Sequence, residues 1–358
     1  MRRFCLAFIA CISLLALIAM AQQTTPTSGP YKVLRRAKVG GAGGFDYVYA
    51  DVAGRKLYVP RGGTQGPPPV AARVSIFNLD TLDPVGEIAN ANARGAAVDP
   101  KSGHGFASSK PVVMWDTKTL ATIKTIDVDG GPDGILFDPF NQRVYVFSHR
   151  APNATLINAV DGTVVGTIDL GGAPEQAVTD GQGHLYVDIE DKANVAVVDA
   201  KTMQVTAHYD LGDKGGAPAG LAFDVKHHVL FVACRTPAPG VMVMMNSDTG
   251  KIITTLPLAG GSDGAVFNPA TMEAFSSAGN ATLTIIKENS PENFVVEQIV
   301  GTMNSAKTLT LDSKTNHILL IGADYGPLPS PAPAPSPGRF PSRGPMVPDS
   351  FSVLVVGK

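Results

Sequence analysis

A repeat of about 41 residues constrains this chain more than any other feature. Residues 130–170 read GGPDGILFDPFNQRVYVFSHRAPNATLINAVDGTVVGTIDL, and 171–211 read GGAPEQAVTDGQGHLYVDIEDKANVAVVDAKTMQVTAHYDL. Each copy holds three or four short β-prone runs punctuated by turn residues such as Asp138-Pro139, Pro152-Asn153 and Asp161-Gly162. One small four-stranded sheet cannot bury both faces, but a ring of them can, so the period predicts a β-propeller. Seven copies fit, at about 40–91, 92–129, 130–170, 171–211, 212–258, 259–300 and 301–358. The expected fold class is all-β, a seven-bladed propeller with four-stranded antiparallel blades.

The copies align on an Asp or Asn that closes the first strand: Asp51, Asp99, Asp138, Asp180, Asp224, Asn268 and Asp312. A third strand ends in turns such as Asp80-Thr81, Asp116-Thr117-Lys118-Thr119, Asp199-Ala200-Lys201-Thr202 and Asp248-Thr249-Gly250. The seventh copy lacks a fourth strand, while a lone β-prone run at 31–39 (YKVLRRAKV) precedes the first copy. We expect this run to complete the last blade, closing the ring and removing an open sheet edge.

The first residues read as a signal peptide. Arg2 and Arg3 precede an apolar run at 4–20, and Ala19-Met20-Ala21 has the spacing of a cleavage site. The expected organisation is a signal at 1–21, a disordered polar segment at 22–30 and one propeller over 31–358, in a periplasmic or secreted protein. Removing 1–21 deletes two arginines and no acid, so the net charge falls from −2 to −4. Such a balance gives no overall field toward nucleic acid or anionic lipid. Cys5 and Cys11 leave with the signal, and lone Cys234 allows neither an internal disulfide nor a C-x-x-C-H haem site. A monomer without membrane contact after signal removal is expected.

The Asp-Thr-Lys-Thr turns, Gly-rich starts and Leu-Tyr-Val second strands resemble the YVTN-type β-propeller repeats of exported bacterial and archaeal proteins, over essentially 31–358. The resemblance implies a surface or envelope protein and carries over no catalytic residue. Repeats one, five and seven depart from it by insertions at 62–73, 236–240 and 326–350. All three fall between strands two and three, on one face, as binding-face insertions do. The last is Pro-rich and expected in polyproline II.

Five residues before each aligned Asp lies one equivalent position: Asp46, Arg94, Asp133, Glu175, Ala219, Asp263 and Lys307. It begins the innermost strand, so six charged side chains are expected around one mouth of the channel. Asp133, Glu175 and Asp263 could hold Ca²⁺ or another divalent cation. The competing reading is turn chemistry, which is commoner for Asp. A second set follows strand two on the same face: Arg61, Lys110, His149, Arg150 and Arg235, a basic arc suited to a carboxylate, sugar acid or phosphate. Ordinary solvated charge is the alternative. His104, His184 and His317 share one turn position on the opposite face, where His227-His228 is expected to be exposed. A general base would be His149, Asp133, Glu175 or Asp263.

No G-x-S-x-G, P-loop, H-E-x-x-H or EF-hand motif is present. The sequence therefore favours a non-catalytic module binding a small anion or an envelope protein, with no cofactor beyond that cation. The alternative is a hydrolase like the lactonases, whose propeller fold it resembles, using the acidic ring.

Overall fold

The computed structural model describes residues 25–65, 69–151, 153–328 and 343–358. Their backbone forms seven four-stranded antiparallel sheets arranged as blades. Blade 1 consists of Tyr49–Asp51, Lys56–Arg61, Arg73–Asn78 and Pro84–Ala89. Blades 2 to 6 span 96–126, 132–168, 174–210, 216–257 and 262–304. In each, strands one to four pair in sequence order, and the first strands of neighbouring blades pack together at the centre. Among the described residues no helix is long and apolar enough to cross a membrane. The expected signal at 1–21 lies outside the described residues, as does 329–342, the body of the Pro-rich insertion.

The chain's own turns terminate the strands. Asp99, Asp224 and Asn268 each accept the amide two residues on, at 2.9 to 3.0 Å. This Asx geometry bends the backbone out of the strand. The left-handed residue that completes the hairpin is Arg55, Gln142, His228, Met272 or Asn316. At the outer turns of blades 1 and 5 the accepting side chains are Asn78 and Asn246, two residues before the Asp in the sequence alignment.

The ring closes with Lys32–Lys38, which pairs antiparallel with Ser352–Gly357 as the outermost strand of blade 7. Tyr31 anchors it. Its ring is buried edge-on against Phe275, and its hydroxyl donates to Glu273, the carboxylate that also accepts from Lys358. Opposite, Arg55 of blade 1 clasps Asp312 of blade 7 through two hydrogen bonds of 2.7 Å.

The core lies between blades. Leu57, Val59 and Phe77 of blade 1 form one cluster with Leu319, Ile321 and Val353 of blade 7. The opposite face of blade 1 offers Tyr58 and Ile76 to Trp115 of blade 2, with the Tyr58 and Trp115 rings 5.5 Å apart. Alternation along each strand thus feeds two cores at once, which is why no blade is stable alone.

Candidate functional site at the channel mouth

The first strands converge on the channel, and the six charged residues at their starts meet the residues that follow strand two. Together they form a closed circuit in which carboxyl groups alternate with basic side chains. Starting from Asp46, it runs through Lys307, Asp263, Arg235, Glu175, His149, Asp133 and Arg94, and back to Asp46. Blade 5 carries Ala219 at the ring position, and Arg235, from the end of its second strand, supplies the missing charge. It also pairs with Glu190.

The circuit has a tight half and a loose half. Asp46 bonds Arg94 at 2.8 Å and Lys307 at 2.9 Å, and Asp263 accepts from both Lys307 and Arg235. The other contacts are longer: Arg235–Glu175 at 3.8 Å, Glu175–His149 at 3.5 Å, His149–Asp133 at 3.7 Å and Asp133–Arg94 at 3.8 Å. Such separations are electrostatic contacts without a hydrogen bond. Oδ1 of Asp133 is buried with no hydrogen-bond partner. Part of this loose half opens on a cavity of about 790 Å³, lined among others by Asp46, Arg94, Lys110, Asp133, His149 and Arg150.

Proton affinities follow this division. Burial alone would raise Asp46, but Lys307 and Arg94 hold it below the usual carboxylate range. Burial and Asp46 raise Asp133, and Arg94 and His149 only partly offset them. Burial drives Glu175 up to about 8 against the pull of Arg235, with Asp133 and Glu190 adding to the rise. Tyr47 reaches across from blade 1 to donate to Glu175 Oε2 at 3.2 Å, and burial beside these acids holds its phenol far above the ordinary range. Next to Glu175, Gln176 links the first strands of blades 5 and 6 to that of blade 4. Its amide donates to Ala265 O and accepts from the Leu221 and Ala265 amides.

No protein-family model and no curated protein sequence matches the chain. Among solved structures 1570 chains match it, and a fold that widely used selects no activity by itself. One is Kuenenia stuttgartiensis hydrazine synthase, 14% identical with a TM-score of 0.65, over 77% of this chain and 92% of that one. At this identity the likeness is to the fold. The chain is a seven-bladed β-propeller.

Several sequence expectations are placed differently. Arg61, grouped in the basic arc, is 1% exposed; it donates to the carbonyls of Gly40, Gly41 and Gly43 and lies 3.6 Å from the Phe351 ring centroid. It fastens the entry loop and does not face a ligand. Arg235 is likewise engaged by acids, so the basic groups lining the cavity are Arg94, Lys110, His149 and Arg150. Asp133, Glu175 and Asp263 do not form the expected cation set, because both Asp263 oxygens accept from cations. The ligand atoms that do converge are those of His149, Glu175 and Glu190, within 4.8 Å of one another. Cys234 is buried, and burial beside Asp188 pushes its thiol up, so it is not a thiolate. Tyr47 and Gln176 were missed. Each directly follows a ring residue, and that adjacency was the available signal.

Proposed function

We propose that this propeller is an exported module that binds a small polar anion at the channel mouth over blades 1 to 3. The single supporting observation is the loose half of the charge circuit beside the cavity. There Asp133 Oδ1 has no hydrogen-bond partner, and Arg94, Lys110, His149 and Arg150 border the space. A carboxylate or phosphate would meet Lys110 and Arg150 at the rim, while its hydroxyls would satisfy Asp133 on the floor. Membership of the YVTN-type repeat family, a periplasmic or secreted location and a monomeric state belong to the same proposal.

The test is thermal unfolding of wild-type protein with gluconate and with inorganic phosphate, repeated on Arg150→Ala and Lys110→Ala. The expected result is a rise in Tm for one probe in wild type that both variants lose. Equal shifts in all three proteins, or none for either anion, would refute the site.

A second reading has one observation behind it. Glu175, with a pKa of about 8, keeps its proton at neutral pH, and His149 Nε2 lies 3.5 Å away. That pair suits hydrolysis of a lactone. His149 would take a proton from the water attacking the carbonyl carbon, and Glu175 would give its proton to the ring oxygen as the ester C–O bond breaks.

A further inference from the structure

On the opposite face, three of the seven residues that close strand one accept a hydrogen bond from the next blade. Asp312 accepts from Arg55, Asp99 from the Gln142 amide and Asp138 from the Thr179 hydroxyl, whereas Asn268 donates to Asn316 Oδ1. Blade 5 is arranged differently. Its Asp224 faces Glu288 of blade 6, one carboxyl group set against another, with His227 beside both. Both acids are 2% exposed. Asp224 Oδ1 is used by the Lys226 amide at 3.0 Å, but Oδ2 has no hydrogen-bond partner, and neither does Glu288 Oε2. Among the described residues neither carboxylate pairs with Lys or Arg.

The imidazole cannot resolve this. His227 Nδ1 sits 2.6 Å from Asp224 Oδ2 and 2.9 Å from Glu288 Oε1. One nitrogen carries at most one proton, and its hydrogen bond goes to Glu288. The sequence expectation that His227 is an exposed turn residue therefore fails: the ring turns inward, leaving 24% of its side chain exposed, while His228 stays outside. One ligand atom from each of the three residues lies within 4.8 Å of the other two. Moving them to about 3.3 Å apart would give the edge of a tetrahedron with bonds near 2.0 Å. His227, on a hairpin at the surface, is the ligand able to make that move. It also lines a neighbouring cavity of about 610 Å³, from which water could complete the coordination.

We propose that Asp224, His227 and Glu288 form a divalent-cation site that links blades 5 and 6. One imidazole nitrogen with two carboxylates suits a first-row ion such as Zn²⁺ better than Ca²⁺, which takes six or more oxygens. The ion supplies the positive charge that Arg55 supplies between blades 7 and 1.

The experiment titrates Zn²⁺ into chelator-stripped Glu175→Gln protein, so that the His149–Glu175–Glu190 group at the other face is already disabled. One equivalent should bind, with a rise in Tm, and Co²⁺ should give visible absorption from a nitrogen-and-oxygen site. Adding Glu288→Gln should abolish all three signals. The metal-free Glu288→Gln protein should melt no lower than its parent, because the new amide can donate to Asp224 Oδ2; His227→Gln is the second variant should that protein fail to fold. Absence of saturable binding at one equivalent, or binding that survives both substitutions, overturns the site.

Discussion

Replacing Glu175 by Gln isolates the electrostatic tension of the channel mouth. The carboxyl rises from an ordinary value of 4.5 to about 8 in the folded protein, chiefly through burial. The folded state therefore keeps a proton that the unfolded chain releases between these two values. Stability attributable to this group is intact below about pH 4.5 and declines as pH rises to about 8. Each pH unit inside that window corresponds to about 1.4 kcal/mol, so by pH 7.5 the wild-type chain has lost on the order of 4 kcal/mol through this group. Gln carries no titrating proton and keeps a donor for the same space. The assay is urea unfolding of both proteins at half-unit steps from pH 4.5 to 9. The stability of Glu175→Gln relative to wild type should climb through the window and level off above about pH 8. A difference that stays flat across that range would refute the claim that Glu175 is held protonated, and with it the acid role in hydrolysis.

Two further outcomes follow from the geometry. Deleting residues 31–39 removes the outer strand of blade 7 together with Tyr31, whose buried ring alone is worth about 3–5 kcal/mol; calorimetry should show a sharply lowered Tm, and an unchanged Tm would mean that the ring does not depend on this closure. If the channel mouth hydrolyses lactones, Glu175→Gln should lower turnover by roughly 100-fold or more at pH 7 with little change in KM, whereas no turnover of any lactone in a broad panel would refute the hydrolase reading.

The architecture was legible because it is periodic. An Asx turn, a left-handed residue and an alternating strand recur at a fixed spacing, so each copy reinforces the reading of the others. The unfilled fourth strand of blade 7 and the orphan run before blade 1 even showed where the ring would close. The ring position was legible for the same reason, since Asp46, Arg94, Asp133, Glu175, Asp263 and Lys307 occupy one register and must face one channel. Arg61 was misread because the end of strand two is exposed in one blade and, in blade 1, covered by the entry loop carrying Gly40, Gly41 and Gly43. That loop precedes the first strand of blade 1, and its fold back over Arg61 is a tertiary contact that the repeat pattern does not encode.

The sequence by itself determined the number of blades, their order and which residues could reach the channel, because these depend on local turns and strand period. Tertiary structure alone decided which charges pair. Asp263 and Glu175 hold the same register, yet one is gripped by Lys307 and Arg235 while the other stands among acids and rises to about 8. His227 and His228 are neighbours in one turn, yet only His227 reaches the buried pair formed with the next blade. Coulomb energy and desolvation depend on distances across blades, and no spacing along one chain fixes them.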